Sequence, residues 1–254
     1  MTWLDSIILG VIEGITEFLP ISSTGHLILA SELLGLPASE FVKSFQIAIQ
    51  LGAIAAVVFL YWKSFLNLQL LTKLFVAFIP TGLVGFLIYP FAKEYLLGNP
   101  SIVVWSLFLG GIALIVFEKF HTERVSEENV TDITYRQALL VGVFQSIAII
   151  PGVSRSAATI VGGLIVGMRR IAIVEFSFLL AVPTMAAATG YDLLKSAGTF
   201  ATDDFGLLAI GFATSFIVAL LSMRFLLGIV RRYSFVPFGI YRILLAIVFF
   251  FVIL

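Results

Sequence analysis

The chain has 254 residues, 60% of them hydrophobic and 12% charged, with a mean hydropathy of +1.12. A soluble domain carries about a quarter charged residues, so this composition excludes a water-soluble globule and points to an integral membrane protein. Fifteen basic and fifteen acidic residues cancel and cysteine is absent, which speaks against nucleic-acid binding and excludes disulfides and thiolate metal sites.

The N-terminus lacks the basic start and small-residue cleavage site of a signal peptide, so insertion through the chain's own helices is expected. A span needs about 20 mostly apolar residues. In chain order, a short apolar segment at 6–18 breaks at Pro20 and resumes at 24–34. Spans are then expected at 42–62, 71–90 and 102–118. A polar run follows, "EKFHTERVSEENVTDITYRQ", residues 118–137. Beyond it the order repeats. Short segments at 137–150 and 155–167 flank Pro151, and spans are expected at 171–193, 205–229 and from 236 to the C-terminus. The four short segments read as two re-entrant hairpins, which a bilayer tolerates only where they are buried in protein or line a polar cavity.

Sliding the chain by 132 residues lays "LGVIEGITEFLPISST" on "VGVFQSIAIIPGVSRS". Gly10 falls on Gly142, Glu13 on Gln145, Ser22 on Ser154 and Thr24 on Ser156; one residue further along, Phe45 falls on Phe178. The expected fold is therefore an all-α integral membrane protein, an inverted repeat of two halves with six transmembrane helices plus two re-entrant helical hairpins. It forms one membrane domain, with residues 1–118 as the first repeat, 119–135 as a polar linker and 136–254 as the second repeat. Three spans per repeat invert the second half, and such repeats place the functional site at their interface near mid-membrane. Lys63 and Lys73 in one loop, Arg231 and Arg232 in another, and Lys119, Arg124 and Arg136 in the linker leave the orientation open.

Glu13 and Glu17, four residues apart, share one helix face. Two carboxylates among Ile12, Ile15, Phe18 and Leu19 are costly in an apolar layer. A divalent cation relieves that cost, since Mg²⁺ uses one or two carboxylates plus phosphate oxygens; a structural salt bridge to an arginine is the plainer alternative. In "SSTGH", Ser22, Ser23 or Thr24 can cap the second half-helix, whose N-terminus favours an anion, and His26 sits in its first turn. In "PGVSRSAAT", Pro151 and Gly152 break the chain and Ser154 or Ser156 caps the next half-helix. Arg155 offers a planar fork for phosphate, or a resting pair with Glu13 or Glu17. His121 reads as solvated, Glu175, Asp192 and Lys195 as paired at the ends of their span, and Arg224 and Arg242 as snorkelling to an interface. Two converging half-helix N-termini would make a site for a phosphate whose apolar remainder stays in the bilayer. Transport of a lipid phosphate or inorganic phosphate through the same site is the rival to hydrolysis.

These motifs resemble the undecaprenyl-diphosphate phosphatase family of bacterial membranes, whose overproduction gives bacitracin resistance. Glu13 and Glu17 match its Glu-x-x-x-Glu motif, "FLPISSTGH" continues that match, and Pro151, Gly152, Ser154, Arg155, Ser156 and Thr159 match its second motif; "EFSFLLAVP", residues 175–183, is also similar. The resemblance covers nearly the whole chain. It implies removal of the terminal phosphate of undecaprenyl diphosphate, a divalent cation (Mg²⁺ or Ca²⁺), and a multi-pass protein of the bacterial cytoplasmic membrane with its site facing the outer side. Membrane lipid is the expected surrounding partner, and the oligomeric state stays open, a homodimer included. On these residues Glu17, Ser23, His26 and Arg155 are the catalytic candidates, with Ser23 and His26 competing as nucleophile. Ser22, Thr24, Gly152, Ser154, Ser156 and Thr159 are the substrate-binding candidates, and Glu13 with Glu17 the metal ligands.

Overall fold

Polar side chains start the helices. The structure, a computed structural model, describes residues 1–37, 39–91, 95–96, 99–122, 129–196, 204–230 and 232–253. Arg124, Arg231 and the side chains of Asp192 and Lys195 thus lie outside the described residues, as does part of the polar linker. Thr2 and Asp5 form a capping box at α1 (Trp3–Thr16), and Ser22 caps α2 (Ser23–Leu33). Ser39 caps α3 (Glu40–Tyr61); α4 (Leu68–Phe91) follows, and Asn99 with Pro100 opens α5 (Pro100–Phe120). A second capping box, Thr134 with Gln137, starts α6 (Tyr135–Gln145), which tightens into a 3₁₀ turn at Ser146–Ile149. Ser154 caps α7 (Arg155–Ile165). The remaining helices are α8 (Arg170–Ser196), α9 (Asp204–Val230) and α10 (Val236–Ile253). Each capping oxygen satisfies one of the amide donors that a helix start leaves open.

Helices α3, α4, α5, α8 and α9 are long and apolar enough to cross a membrane. By contrast, α2 and α7 have 11 residues each. At 1.5 Å per residue they are about 16 Å long, roughly half of a ~30 Å hydrocarbon layer. Large apolar side chains cover the outside: Phe86, Leu83, Phe225 and Leu221 are all exposed. In water such a surface would associate; in lipid it is solvated.

The short helices are clasped crosswise. α1 packs on α9 and α6 on α4, while α3 packs on both α8 and α9, and α5 pairs with α10. Two glycines permit the closest approaches. A Cβ on Gly10 would lie 2.8 Å from the Gly211 carbonyl oxygen of α9, and one on Gly142 would collide with the Ala77 carbonyl of α4. Thr81 reinforces the second contact by donating to the Gly142 carbonyl at 3.1 Å. At the other end of the long helices, Glu118 accepts both Arg170 guanidinium nitrogens (2.5 and 3.1 Å) and the Phe235 amide (2.9 Å), tying the end of α5 to the starts of α8 and α10. His121, expected to be solvated, instead stacks on Phe117 with its Nε2 buried.

Candidate active site

Both broken segments end in the same unusual backbone. Ser22 and Ser154 have φ of 71° and 75°, and among the described residues they are the only non-glycine residues with positive φ. Such conformations cost about 1–3 kcal/mol each and persist where surroundings impose them. Each serine then caps the helix it precedes: Ser22 Oγ accepts from the Gly25 amide at 3.4 Å and Ser154 Oγ from the Ala157 amide at 3.2 Å. The two tips meet directly. Ser156 Oγ donates to the Leu19 carbonyl at 2.7 Å and also contacts Ser154 Oγ at 3.1 Å.

Glu17 is the hub between the tips. Its Oε1 accepts from Arg155 Nη2 at 2.9 Å, and its Oε2 accepts a very short hydrogen bond from Ser23 Oγ. Both side chains of the ion pair are largely buried, 12% and 4% exposed, so it forms where solvent screens little. Arg155 Nη1 donates to the Ser177 carbonyl at 3.0 Å, and Nε has no partner among the described residues. Thr159 stands behind it, with its hydroxyl 2.6 Å from Ser177 Oγ and 3.0 Å from the Arg155 carbonyl. Glu13 lies beside Glu17, fully buried, and neither of its oxygens has a hydrogen-bond partner among the described residues.

A cavity of about 150 Å³ opens over this hub. Glu17, Ser22, Ser23, Thr24, Gly152, Ser154 and Arg155 line it, with Gln50 from α3 and Met185 from α8. The structure thus gathers seven of the expected site residues around one space. Ser156 and Thr159 brace its walls, and Glu13 sits beneath it. His26 is turned elsewhere. Its Nδ1 lies 2.7 Å from the Ser22 carbonyl, and its ring stacks on Tyr241 with Nε2 2.8 Å from the hydroxyl. A carbonyl only accepts, so Nδ1 carries a proton, and in the neutral ring Nε2 accepts from the Tyr241 hydroxyl.

Arg242 corrects an expectation. Instead of snorkelling, it is completely buried and donates to the carbonyls of Pro20 (3.3 Å), Val153, Gly152 and Ser106 (each 3.0 Å). Arginine within an apolar helix was a signal for it, though one that the neighbouring Tyr241 did not share. The sequence alone singled out neither Gln50, an amide in an apolar span, nor Ser177, which meets Arg155 through its carbonyl and Thr159 through its hydroxyl.

Among the described residues no three His, Cys, Asp or Glu side chains are grouped to hold a metal. The available donor set is the pair Glu13 and Glu17. Glu13's unpartnered buried carboxylate fits a divalent cation whose remaining ligands are phosphate oxygens or water, as Mg²⁺ accepts.

Residues 6–248 match the family model described as bacitracin resistance protein BacA. A protein of Sulfurihydrogenibium sp. (strain YO3AOP1) named undecaprenyl-diphosphatase is 51% identical over 251 residues, covering 98% of this chain and 99% of its own. Proteins of the same name from Aquifex aeolicus (strain VF5) and Wolinella succinogenes are 50% and 51% identical, each covering 98% of its own length and 98% and 99% of this chain.

Proposed function

Because the chain belongs to the bacitracin resistance protein family, we propose that it is an undecaprenyl-diphosphatase. It hydrolyses undecaprenyl diphosphate to undecaprenyl phosphate, recycling the carrier lipid for peptidoglycan synthesis and conferring bacitracin resistance. The observation that carries the site assignment is Glu17, which accepts from Ser23 and from Arg155 at the floor of one cavity.

In this reading Ser23 is the nucleophile. A serine hydroxyl needs an adjacent base, and Glu17 is already bonded to it. Ser23 Oγ attacks the terminal phosphorus, its proton passes to Glu17, and the bond from that phosphorus to the bridging oxygen breaks, releasing undecaprenyl phosphate. Water then cleaves the phosphoserine. Arg155 moves from Glu17 to the phosphate oxygens, where its fork supplies paired donors. The α2 and α7 N-termini add amide donors from two directions. Phosphoryl transfer depends mainly on such positioning and charge stabilisation. Glu13 with Glu17 would hold Mg²⁺ or Ca²⁺, which when bound neutralises phosphate charge. His26, with both nitrogens engaged, orients α2 against α10.

The finer architecture belongs to the same proposal: six spans, α10 the sixth, and two re-entrant hairpins in inverted repeats. The 132-residue offset supports it, since it carries the starts of α1 and α2 onto those of α6 and α7. The reciprocal packing of α1 on α9 and α6 on α4 supports it too. The basic residues at the helix ends support one orientation. Lys63, Lys73, Lys119, Arg136, Arg169, Arg170 and Arg232 lie at or near one end of the bundle, while Lys43 and Lys195 lie at the other. Basic residues favour the cytoplasmic side, so both termini and the base of the first hairpin face outward, and substrate enters from that side of the cytoplasmic membrane.

Purified protein in detergent, supplied with undecaprenyl diphosphate and Mg²⁺ or Ca²⁺, should release phosphate and stop when the cation is chelated. A wild-type protein that releases none would turn the reading toward transport.

A further inference from the structure

Two re-entrant tips approached from opposite sides of a bilayer have no covalent reason to meet. Something must fix their separation, because Ser23 belongs to one and Arg155 to the other. Ser156 makes one contact across the gap, and the Glu17–Arg155 pair, which opens when Arg155 turns to phosphate, makes another. A further device lies behind the tips, on α10.

Arg242 is completely buried, and its two terminal nitrogens donate to four backbone carbonyls. Pro20 belongs to the first tip, Gly152 and Val153 to the second, and Ser106 to α5. A buried guanidinium is expensive in an apolar layer, and carbonyl dipoles from three separate segments offset that cost only if all three stay in place. The slot for it is prepared on α5: a Cβ on Gly110 would run into Arg242 Nη2. The contact also sets peptide orientation. In a trans peptide the C=O and N–H point in opposite directions, so the Val153 carbonyl aimed at Arg242 turns the Ser154 amide away from α10. Ser154 and Gly152 themselves line the cavity.

We propose that Arg242 is a positioning residue that latches the two tips together, fixing the separation of Ser23 and Arg155 and holding the strained Ser22 and Ser154 caps. It touches no substrate and acts through the backbone of both turns. The kinetic part of this inference rests on the hydrolase reading above; the geometric part does not.

The test uses the full-length protein in detergent. Being cysteine-free, it accepts spin labels at Ile15→Cys and Ile147→Cys, exposed positions on the two segments that lead into the tips. Three variants are compared: Arg242→Met, Arg242→Lys, which keeps the charge but not the fork, and Gly110→Ala, which fills the slot while leaving Arg242 in the sequence. Each should broaden or shift the label-to-label distance and lower kcat roughly 100-fold, the scale of an ångström-sized misplacement, with KM little changed. If Arg242→Met does not fold, the other two carry the test. Wild-type kcat in Arg242→Lys and Gly110→Ala overturns the latch, and so does a loss of kcat with the distance distribution unchanged. Absence of phosphate release by the wild type counts against the hydrolase reading instead, and the distance measurement still judges the latch.

Discussion

Ser23 and His26 stand three residues apart in one motif, and the sequence gives no reason to prefer either. Side-chain direction separates them: Ser23 points to Glu17, whereas His26 points to Tyr241 and the Ser22 carbonyl. Ser23→Ala should therefore abolish phosphate release, while His26→Ala keeps a measurable fraction of it. Rapid quenching followed by peptide mass spectrometry should find the phosphoryl group on Ser23, and a phosphohistidine at His26 would sink this assignment. Arg155→Lys keeps the charge but loses the planar fork; loss of one charge-stabilising donor typically costs about 10²–10³ in kcat, and a smaller drop than tenfold would argue against the clamp. Glu17, Ser23 and Arg155 were legible in the sequence because polar groups in an apolar layer need a purpose. Arg242 was misread for a physical reason: whether an arginine snorkels depends on a slot elsewhere in the chain, here Gly110, and hydropathy carries no trace of that slot.

At the scale of elements, helix limits were readable to within a few residues, since hydropathy, prolines and capping residues act locally. The expected spans at 42–62 and 205–229 correspond to Glu40–Tyr61 and Asp204–Val230. Which helices touch was not readable from those signals, because it depends on where backbones can approach. Gly142 is one such place, and Gly142→Leu should separate α6 from α4 and lower the melting temperature in detergent, whereas leucine at exposed Val143 should not. The Glu118–Arg170 pair makes a second prediction. Glu118→Ala takes the carboxylate away from a buried guanidinium, and breaking such a pair costs about 3–5 kcal/mol. Thermal unfolding in detergent should register a large drop; a wild-type melting temperature would show that the pair contributes nothing.

For the whole molecule, the division of chemistry between unlike halves is the main consequence of the repeat. Glu13 and Gln145 occupy equivalent positions, yet Glu13 lies beside Glu17 with no hydrogen-bond partner among the described residues, while Gln145 donates to Thr81 (2.8 Å) and Thr184 (3.2 Å). In the proposed mechanism one half supplies the carboxylates and the nucleophile and the other the arginine, so neither half alone is expected to be active. The proposed orientation is one that intact cells can report: a membrane-impermeant maleimide should label Leu33→Cys and spare Trp62→Cys. The reverse pattern would invert the topology. Most direct of all is phosphate release from undecaprenyl diphosphate by the purified protein in detergent, where no compartments exist. The wild type should release phosphate, and Glu17→Ala and Arg155→Ala should each lose at least about 100-fold; undiminished release in both variants would contradict the site at the meeting of the two tips.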